Sequence, residues 1–271
     1  MNKECKISPD YNKMFANPNK TDIQNNNLRG NIKTVIAIKT KIDDNNKMES
    51  IPFWKSTNNL FEISSFDKNG TLINYREVYK DNILHMKMEY DFDGRNNLIE
   101  ERTLNENKKI INTVNFKYNS IGQTIEEYRK ETDILFTAIY NNSGILEKVI
   151  NKSQLQGYGE KCYNIKRDSK NNIIEVIEII RDKKIKTEFE YDFENKLVKL
   201  KEYNSKNEMK SFEEMEYDQY QNMTKLTYKE VAYTSVFDYK FEYDDNGNWL
   251  TSTVFIDGVL DSKTEREIEY Y

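Results

Sequence analysis

The fold of this chain can be inferred from the stretch Phe241–Glu–Tyr–Asp–Asp–Asn–Gly–Asn–Trp–Leu250, which reads as the end of one strand, a tight turn and the start of the next strand. Asp244 stands where a side chain can accept the backbone N–H two residues on, and Gly247 suits a backbone with positive φ. Together they specify a type I turn followed by a left-handed residue, the three-residue hairpin loop with a bulge. In that loop Tyr243 faces the residue six positions later, Trp249.

The same turn recurs eight times, at intervals of 22 to 27 residues. The residues directly before the turns, called anchors below, are Phe66, Phe92, Tyr118, Tyr140, Arg167, Tyr191, Tyr217 and Tyr243. Every anchor is followed by Asp or Asn, and the residue four after it is Gly, Asn or, once, Gln. Self-similarity at a nearly fixed period indicates a repeat architecture, and each unit is interpreted as a β-hairpin.

Period-two alternation of apolar and charged residues before the turns predicts strands. A unit of about 26 residues holds two strands of roughly eight residues and two turns. We therefore predict an all-β fold, an antiparallel meander of about sixteen strands built from eight hairpin repeats. A sheet that wide must twist, curl or close, and we expect a curled or partly closed sheet.

The chain divides into three predicted parts: a flexible N-terminal arm over residues 1–27, N-terminal strands or a cap over residues 28–65, and the repeat array over residues 66–271. Residues 28–40 predict a first strand. Residues 51–65 predict either a strand that leads into the first unit or a short cap over an open sheet edge.

The aromatic-x-Tyr-Asp-x-x-Gly-Asn pattern of residues 241–248 resembles the YD repeats of bacterial RHS-type proteins. The resemblance is closest to short bacterial proteins built of such repeats, often predicted lipoproteins, whose start and ending are similar to Leu28–Val35 and Glu265–Tyr271. In the large RHS relatives the repeats coil into a hollow shell around a toxin, but eight repeats are too few to enclose one. Arg167 and Gln221 also depart from the motif. The resemblance implies a coiled repeat sheet, export to the cell envelope and a glycan-binding role.

Composition excludes several classes of function. The 271 residues contain 41 Lys and Arg and 46 Asp and Glu, mixed throughout, with a net charge of −5. Nucleic-acid binding needs a concentrated cationic face, so we expect no such partner. No apolar stretch approaches the roughly eighteen residues of a membrane helix, and residues 1–18 lack the apolar core of a signal peptide. The residues as written therefore favour the cytoplasm, whereas the resemblance favours the envelope after removal of a leader.

Catalytic and metal chemistry find little support. His85 is the only histidine, so any Ser–His–Asp or Cys–His system would have to use it. Cys5 and Cys162 lie far apart and lack zinc spacing. The stretch 244–248 looks like a calcium loop, but its glycine is in the wrong place and turn chemistry explains it. Neighbouring glutamates such as Glu213 and Glu214 point to opposite faces of a strand. We predict a protein that is not an enzyme and holds no cofactor.

The aromatic residues are the candidate binding groups, because 19 Tyr, 13 Phe and 2 Trp are many for so polar a chain. Anchor aromatics are expected in the core, while tyrosines outside the repeat register are better candidates for an exposed platform. The predicted binding residues are Tyr158, Tyr163, Tyr220, Tyr228 and Tyr233. Tyr158 lies between Gly157 and Gly159, which predicts either a binding loop or a longer hairpin turn.

Two functional hypotheses follow. The first is a monomeric, non-enzymatic binding or structural module of the bacterial envelope, which presents a curved repeat sheet to a protein or a glycan. The second is a cytosolic interaction protein that carries or neutralises a secreted toxin.

Overall fold

The computed structural model describes residues 27–41, 60–79, 83–153 and 160–271. These residues form eighteen β-strands. The strands are β1 (Ile32–Lys41), β2 (Leu60–Phe66), β3 (Leu72–Tyr79), β4 (Leu84–Phe92), β5 (Leu98–Asn105), β6 (Ile110–Tyr118), β7 (Thr124–Arg129), β8 (Ile134–Tyr140), β9 (Leu146–Ser153), β10 (Lys161–Arg167), β11 (Ile173–Ile180), β12 (Lys183–Tyr191), β13 (Leu197–Tyr203), β14 (Met209–Tyr217), β15 (Met223–Glu230), β16 (Thr234–Tyr243), β17 (Trp249–Ile256) and β18 (Val259–Tyr270). The predicted arm up to residue 26 and the bend at Tyr158 lie outside the described residues.

The sheet closes into a barrel. Each strand pairs antiparallel with the next one in sequence. β1 also pairs with β18, from Ile32 opposite Tyr270 to Lys41 opposite Ser262. The predicted partly closed sheet is therefore wrong, because pairing of the first strand with the last satisfies backbone groups that an open edge would leave exposed. Eighteen strands spaced about 4.8 Å apart and tilted by about 40° enclose a barrel on the order of 35 Å across.

The predicted count of about sixteen strands is also wrong. The eight repeat units supply β2 to β17, and β1 and β18 are the two additional strands. β18 follows β17 through Asp257 and Gly258, whose φ angles of 52° and 81° form a two-residue hairpin turn. This Asp-Gly pair was the local signal for the last strand. The first and last strands are the pair that closes the ring.

The predicted turn chemistry is confirmed in all eight units. The residues four after the anchors all have positive φ, and they are Gly70, Asn96, Gly122, Gly144, Asn171, Asn195, Gln221 and Gly247. The Asp or Asn after each anchor accepts the backbone N–H two residues on. Each anchor also pairs with the residue six later, as Tyr243 does with Trp249. Since all eight turns follow even-numbered strands, they lie at one end of the barrel, the turn rim.

Anchor tyrosines join each unit to the one before it. The Tyr118 hydroxyl donates to the carbonyl of Leu98 at 2.7 Å, and the Tyr217 hydroxyl donates to that of Leu197 at 2.8 Å. Tyr140 and Tyr191 make the equivalent bond. In each case the acceptor is the residue six after the preceding anchor. The tyrosine hydroxyls therefore tie neighbouring turns together around the rim.

Arg167, the one anchor that is neither Tyr nor Phe, keeps this connection. Its Nε donates to the carbonyl of Leu146 at 3.4 Å, and Leu146 is the residue six after the Tyr140 anchor. Burial lowers the pKa of the Arg167 guanidinium. Arg167 thus lacks the aromatic ring of the other anchors, but it still donates a hydrogen bond to the preceding turn.

Replacing Tyr217 with phenylalanine tests the connection. The change removes the bond to Leu197 and leaves the ring in place, so we expect a loss of about 0.5–1.5 kcal/mol in the free energy of unfolding. Chemical denaturation of Y217F, Y118F and the double variant measures it. The two losses should add, because the sites are far apart. An unchanged stability in both single variants would contradict the role of the hydroxyls.

The seam of the barrel is held by residues 27–31, which lie across the turns of the last two units. Asn248 is 1% exposed. Its Oδ1 accepts the backbone N–H of Arg29 at 2.7 Å, and its Nδ2 donates to the Arg29 carbonyl at 2.9 Å and to the Tyr270 hydroxyl at 2.8 Å. Arg29 Nη2 also donates to the carbonyl of Tyr220 at 3.1 Å. One asparagine therefore joins both ends of the array.

Strand residues whose side chains point to the same face of the sheet as the anchors form one wall of the barrel, the anchor wall. Buried residues of this wall are Ile32, Val35, Phe66, Thr103, Val114, Leu146, Val149, Tyr163, Ile165, Val176, Thr187, Leu200, Ser211, Ser252 and Ser262. Among the described strands, only Val78 and Thr113 are buried on the other wall. Side chains converge on the concave side of a closed sheet and shield one another, so the anchor wall is the inner wall and the other is the outer wall.

The core follows the inner wall and does not cross the barrel. One apolar cluster surrounds Phe66 and contains residues of β18, β1, β2 and β3 with Leu28. The other surrounds Val176 and contains residues of β8 to β12. Neither cluster joins opposite sides of the ring. The apolar side chains therefore form a layer along the inner wall and do not pack across the interior, as expected for a barrel with this number of strands.

Candidate binding site on the inner wall

The two walls differ in chemistry. Lys and Glu pair along the outer wall, for example Lys186 with Glu188 at 2.7 Å and Lys201 with Glu190 at 2.5 Å. The inner wall carries aromatic rings in register with the anchors, such as Phe237, Tyr239, Phe241 and Tyr243 on β16. Exposed ion pairs suit a surface in contact with water. The inner wall is the surface that has the composition of a binding site.

Carboxylates lie between the inner-wall rings and bind tyrosine hydroxyls. Tyr75 donates to Glu77 Oε1 at 2.9 Å, and Tyr163 donates to Glu178 Oε1 at 3.2 Å. Tyr228 donates to Glu230 in the same way. The inner wall thus combines apolar ring faces with hydrogen-bonding groups.

The sequence prediction that neighbouring glutamates are split between faces is confirmed. Glu213 pairs with Leu200 and Tyr228 on the inner wall, whereas Glu214 pairs with Lys199 on the outer wall, where the Oε1–Nζ distance is 3.2 Å. Burial, and then the charge of Glu202, raise the pKa of Glu213 above its ordinary value of 4.5. The ionised carboxylate of Glu213 therefore lowers the stability of the folded protein.

Replacing Glu213 with glutamine tests this cost. The pKa of Glu213 is raised by folding, so its charged form destabilises the native state, and this penalty grows as pH rises above 4.5. We expect E213Q to melt at a higher temperature than the wild type at pH 7.5, and the difference to disappear near pH 4. E214Q, one residue away, breaks an exposed ion pair and should change the melting temperature little or lower it. Equal melting curves for E213Q and wild type at pH 7.5 would contradict the burial of this charge.

The predicted binding tyrosines do not lie together. Tyr228 and Tyr233 do meet, with ring centroids 5.7 Å apart at the β15–β16 turn, where Tyr233 is 37% exposed. Tyr220 lies at the other end of β15, on the turn rim. Tyr163 is on β10, and Tyr158 is outside the described residues. The fold therefore does not bring all five tyrosines together in a single platform.

Two of these tyrosines have structural surroundings that sequence reasoning missed. Tyr163 is only 6% exposed, so the expectation that it lies on the surface is wrong. It stands in register on the inner wall, opposite Val149 and Glu178. The Tyr220 ring packs between Tyr243, at 4.4 Å between centroids, and the Arg29 guanidinium, at 5.1 Å. Tyr220 therefore belongs to the barrel seam.

His85 stands at a bulge in β4 and is partly exposed. Its Nδ1 lies 2.9 Å from the Tyr79 hydroxyl, and its Nε2 lies 3.8 Å from Glu77 Oε2. Among the described residues, no group of three or more His, Cys, Asp or Glu side chains is arranged to hold a metal ion. In the calcium-like stretch, Asp244 Oδ1 accepts the backbone N–H groups of Asn246 and Asn248, which is the turn chemistry predicted for it.

The inner wall also has a small open hollow of about 30 Å³ over Ala138, lined in part by Thr124, Glu127, Phe136 and Val149. The Arg129 guanidinium covers the Phe136 ring at 5.1 Å from its centroid and donates from Nε to Glu127 at 2.8 Å. A small residue between larger neighbours thus opens space where aromatic and charged groups meet. Sequence alternation could place these residues on one face, but it could not show that this face is concave.

The described part of the chain contains no helical segment with the length and hydrophobicity needed to span a bilayer.

Comparison with known proteins is limited to backbone similarity. No protein-family model matches the chain, and no curated protein matches it in sequence. A porin-like protein from Bacteroides uniformis is 10% identical, with a TM-score of 0.45, and the match covers 88% of this chain and 96% of that one. A porin-like protein from Bacteroides vulgatus is 11% identical, with a TM-score of 0.40, over 89% and 99% of the two chains.

A toxin-complex structure, TcdB2–TccC3–Cdc42, is 12% identical with a TM-score of 0.41. The match covers 73% of this chain and only 13% of the toxin-complex chain. The chain thus spans a small part of the toxin-complex chain and nearly the whole length of the two porin-like proteins.

Proposed function

We propose that this protein is a non-enzymatic, monomeric binding protein of the bacterial envelope that takes up a glycan against its inner wall. The observation that carries the proposal is the difference between the walls. Aromatic rings and half-buried carboxylates line the inside, whereas paired Lys and Glu side chains cover much of the outside. The resemblance of the repeat to YD repeats supports the envelope location.

A glycan fits the inner wall better than a folded protein does. Sugar rings present flat C–H faces that lie against aromatic rings, and hydroxyl edges that hydrogen-bond to carboxylates. Tyr75 with Glu77 and Tyr228 with Glu230 offer both kinds of contact side by side. The concave wall gives a chain of sugars access only through the rims of the barrel, which excludes a bulky globular partner.

Titration of the purified chain with a panel of soluble neutral and acidic oligosaccharides, followed by calorimetry, tests the proposal. Tyr233 is the probe residue, because it is partly exposed at the rim and contacts Tyr228. We expect Y233S to weaken glycan binding roughly tenfold, the value of one aromatic contact. Phe193, 86% exposed in a repeat turn, gives the matched control F193S, which should bind as the wild type does.

Absence of binding to every oligosaccharide would overturn the glycan assignment. Recovery of the native protein from the cytosol in a stoichiometric complex with a secreted toxin would do so too, and would favour the second hypothesis of a toxin carrier. Recovery from the envelope fraction is the expected result.

A further inference from the structure

Four residues on neighbouring strands form a row across the inner wall, and the cation in this row, Arg266, makes no ion pair with the other three. Arg266 on β18 is opposite Ala37 on β1, Ala37 is opposite Glu62 on β2, and Glu62 is opposite Glu77 on β3. The Arg266 guanidinium lies on the Trp249 ring, 3.3 Å from its centroid. Its Nε and Nη1 are buried and have no hydrogen-bond partner among the residues that the structure describes.

Two buried guanidinium nitrogens without a partner call for an explanation, because a buried donor that makes no hydrogen bond costs free energy. Burial lowers the pKa of Arg266 to about 10, so the group is still charged at neutral pH. Glu62 is the nearest carboxylate in the row, but it stands beyond Ala37 and makes no ion pair with Arg266 among the described contacts. Ala37 lies between the two charges, and its methyl group cannot hydrogen-bond to either, so the space between them holds no polar side chain of this row.

The charges around this space are balanced. Arg266 and Lys39 supply two positive charges that both act on Glu62, and Glu62 and Glu77 supply two negative charges. A singly charged anion next to Arg266 therefore adds one charge to a neutral cluster, whereas a doubly charged phosphate adds two. The planar guanidinium also matches the geometry of a carboxylate.

We propose that Arg266, with Lys39 beside it, forms a carboxylate subsite on the inner wall, and that the glycan taken up by the barrel contains uronic acid residues. The inference rests on the proposed function. Arg266 binds the sugar carboxylate, and Glu62 and Glu77 accept hydrogen bonds from the hydroxyl groups of the same ring. The flexible side chains of Lys39 and Glu62 move aside as the ligand reaches the enclosed guanidinium nitrogens.

A matched pair of probes tests the subsite: an oligogalacturonide of defined length, and the same oligomer with its carboxyl groups reduced to alcohols. We expect the wild type to bind the acidic oligomer more tightly at pH 7.5. R266Q should lose about 10- to 100-fold of that affinity while its affinity for the reduced oligomer stays unchanged. E62Q, which removes a negative charge near the bound carboxylate, should bind the acidic oligomer more tightly. K201Q on the outer wall should change neither.

Thermal melting separates a binding role from a structural one. If Arg266 is kept for a ligand, R266Q removes an unpaired buried charge, and the free protein should melt at the same temperature or higher. A lower melting temperature together with an unchanged preference for the acidic oligomer would assign Arg266 a structural role and overturn the inference. Equal binding of both oligomers to the wild type would overturn the inference and leave the proposed function standing. Failure of both oligomers and of every other glycan to bind would overturn both.

Discussion

Replacing Asn248 with alanine is expected to destabilise the barrel by about 2–4 kcal/mol, a larger effect than the loss of any one tyrosine hydroxyl at the rim. The side chain is 1% exposed, and it bonds the N–H and the carbonyl of Arg29 and the hydroxyl of Tyr270. Alanine leaves these partners without their bonds at the seam where the first and last strands meet. The loss therefore weakens closure of the ring as well as one turn.

Asn97 provides the control for this prediction. It occupies the equivalent turn position in the second unit, five after the anchor, but within the described part of the chain its Nδ2 donates only inside its own turn, to Asp93 Oδ2 at 2.9 Å. We expect N97A to cost less than about 1 kcal/mol. Denaturant unfolding of both variants measures the difference. If the two substitutions cost the same, the seam is not what Asn248 stabilises.

The second large effect is expected for Gly247. A Cβ added there would lie 2.8 Å from Cε1 and 2.9 Å from Cδ1 of Tyr220, on a residue with φ of +78°. The Tyr220 ring is held between Tyr243 and Arg29, so it cannot move away freely. We expect G247A to cost about 2–5 kcal/mol, from a left-handed alanine at about 1–2 kcal/mol and overpacking at about 1–3 kcal/mol.

Gly122 separates these two contributions. Its φ is +82°, but the nearest atom to an added Cβ is Asn97 Oδ1 at 3.7 Å. G122A should therefore show the backbone cost alone, about 1–2 kcal/mol. In addition, the combination of G247A with Y220S should be less destabilising than the sum of the two single changes, because Y220S removes the clash. Additive losses would mean that Tyr220 does not restrict position 247.

Much of the local structure could be predicted from the sequence. The eight turns were located correctly, including the unit whose anchor is Arg167, because Asp or Asn and a left-handed residue fix a turn within four residues. Two similar turns were missed. Leu104 pairs with Ile110 across Asn105 and Lys108, and Tyr203 pairs with Met209 across Asn204 and Asn207; Lys108 and Asn207 have φ of 59° and 62°. Both turns begin with Asn, but they lie at the opposite rim, where the repeat period did not direct attention to them.

The candidate site could be predicted only in part. Alternation placed Glu213 and Glu214 on opposite faces, but it could not show which face is concave. It therefore could not distinguish Tyr163, which is buried inside, from a surface tyrosine. Arg266 gave no sequence signal at all, because its significance depends on Ala37 and Glu62, which lie more than 200 residues away in the chain.

The hairpin unit, with its turn type, its register and its two side-chain faces, follows from the sequence alone, since each of these features depends on contacts within a few residues. The folded barrel alone shows that the sheet closes, that the anchor face lies inside and that Arg266 and Glu62 lie on either side of Ala37. Closure depends on pairing between β1 and β18 and on one asparagine that joins the two ends of the array. Such long-range pairing is set by the accumulated twist and coiling of all eighteen strands, which no single repeat encodes.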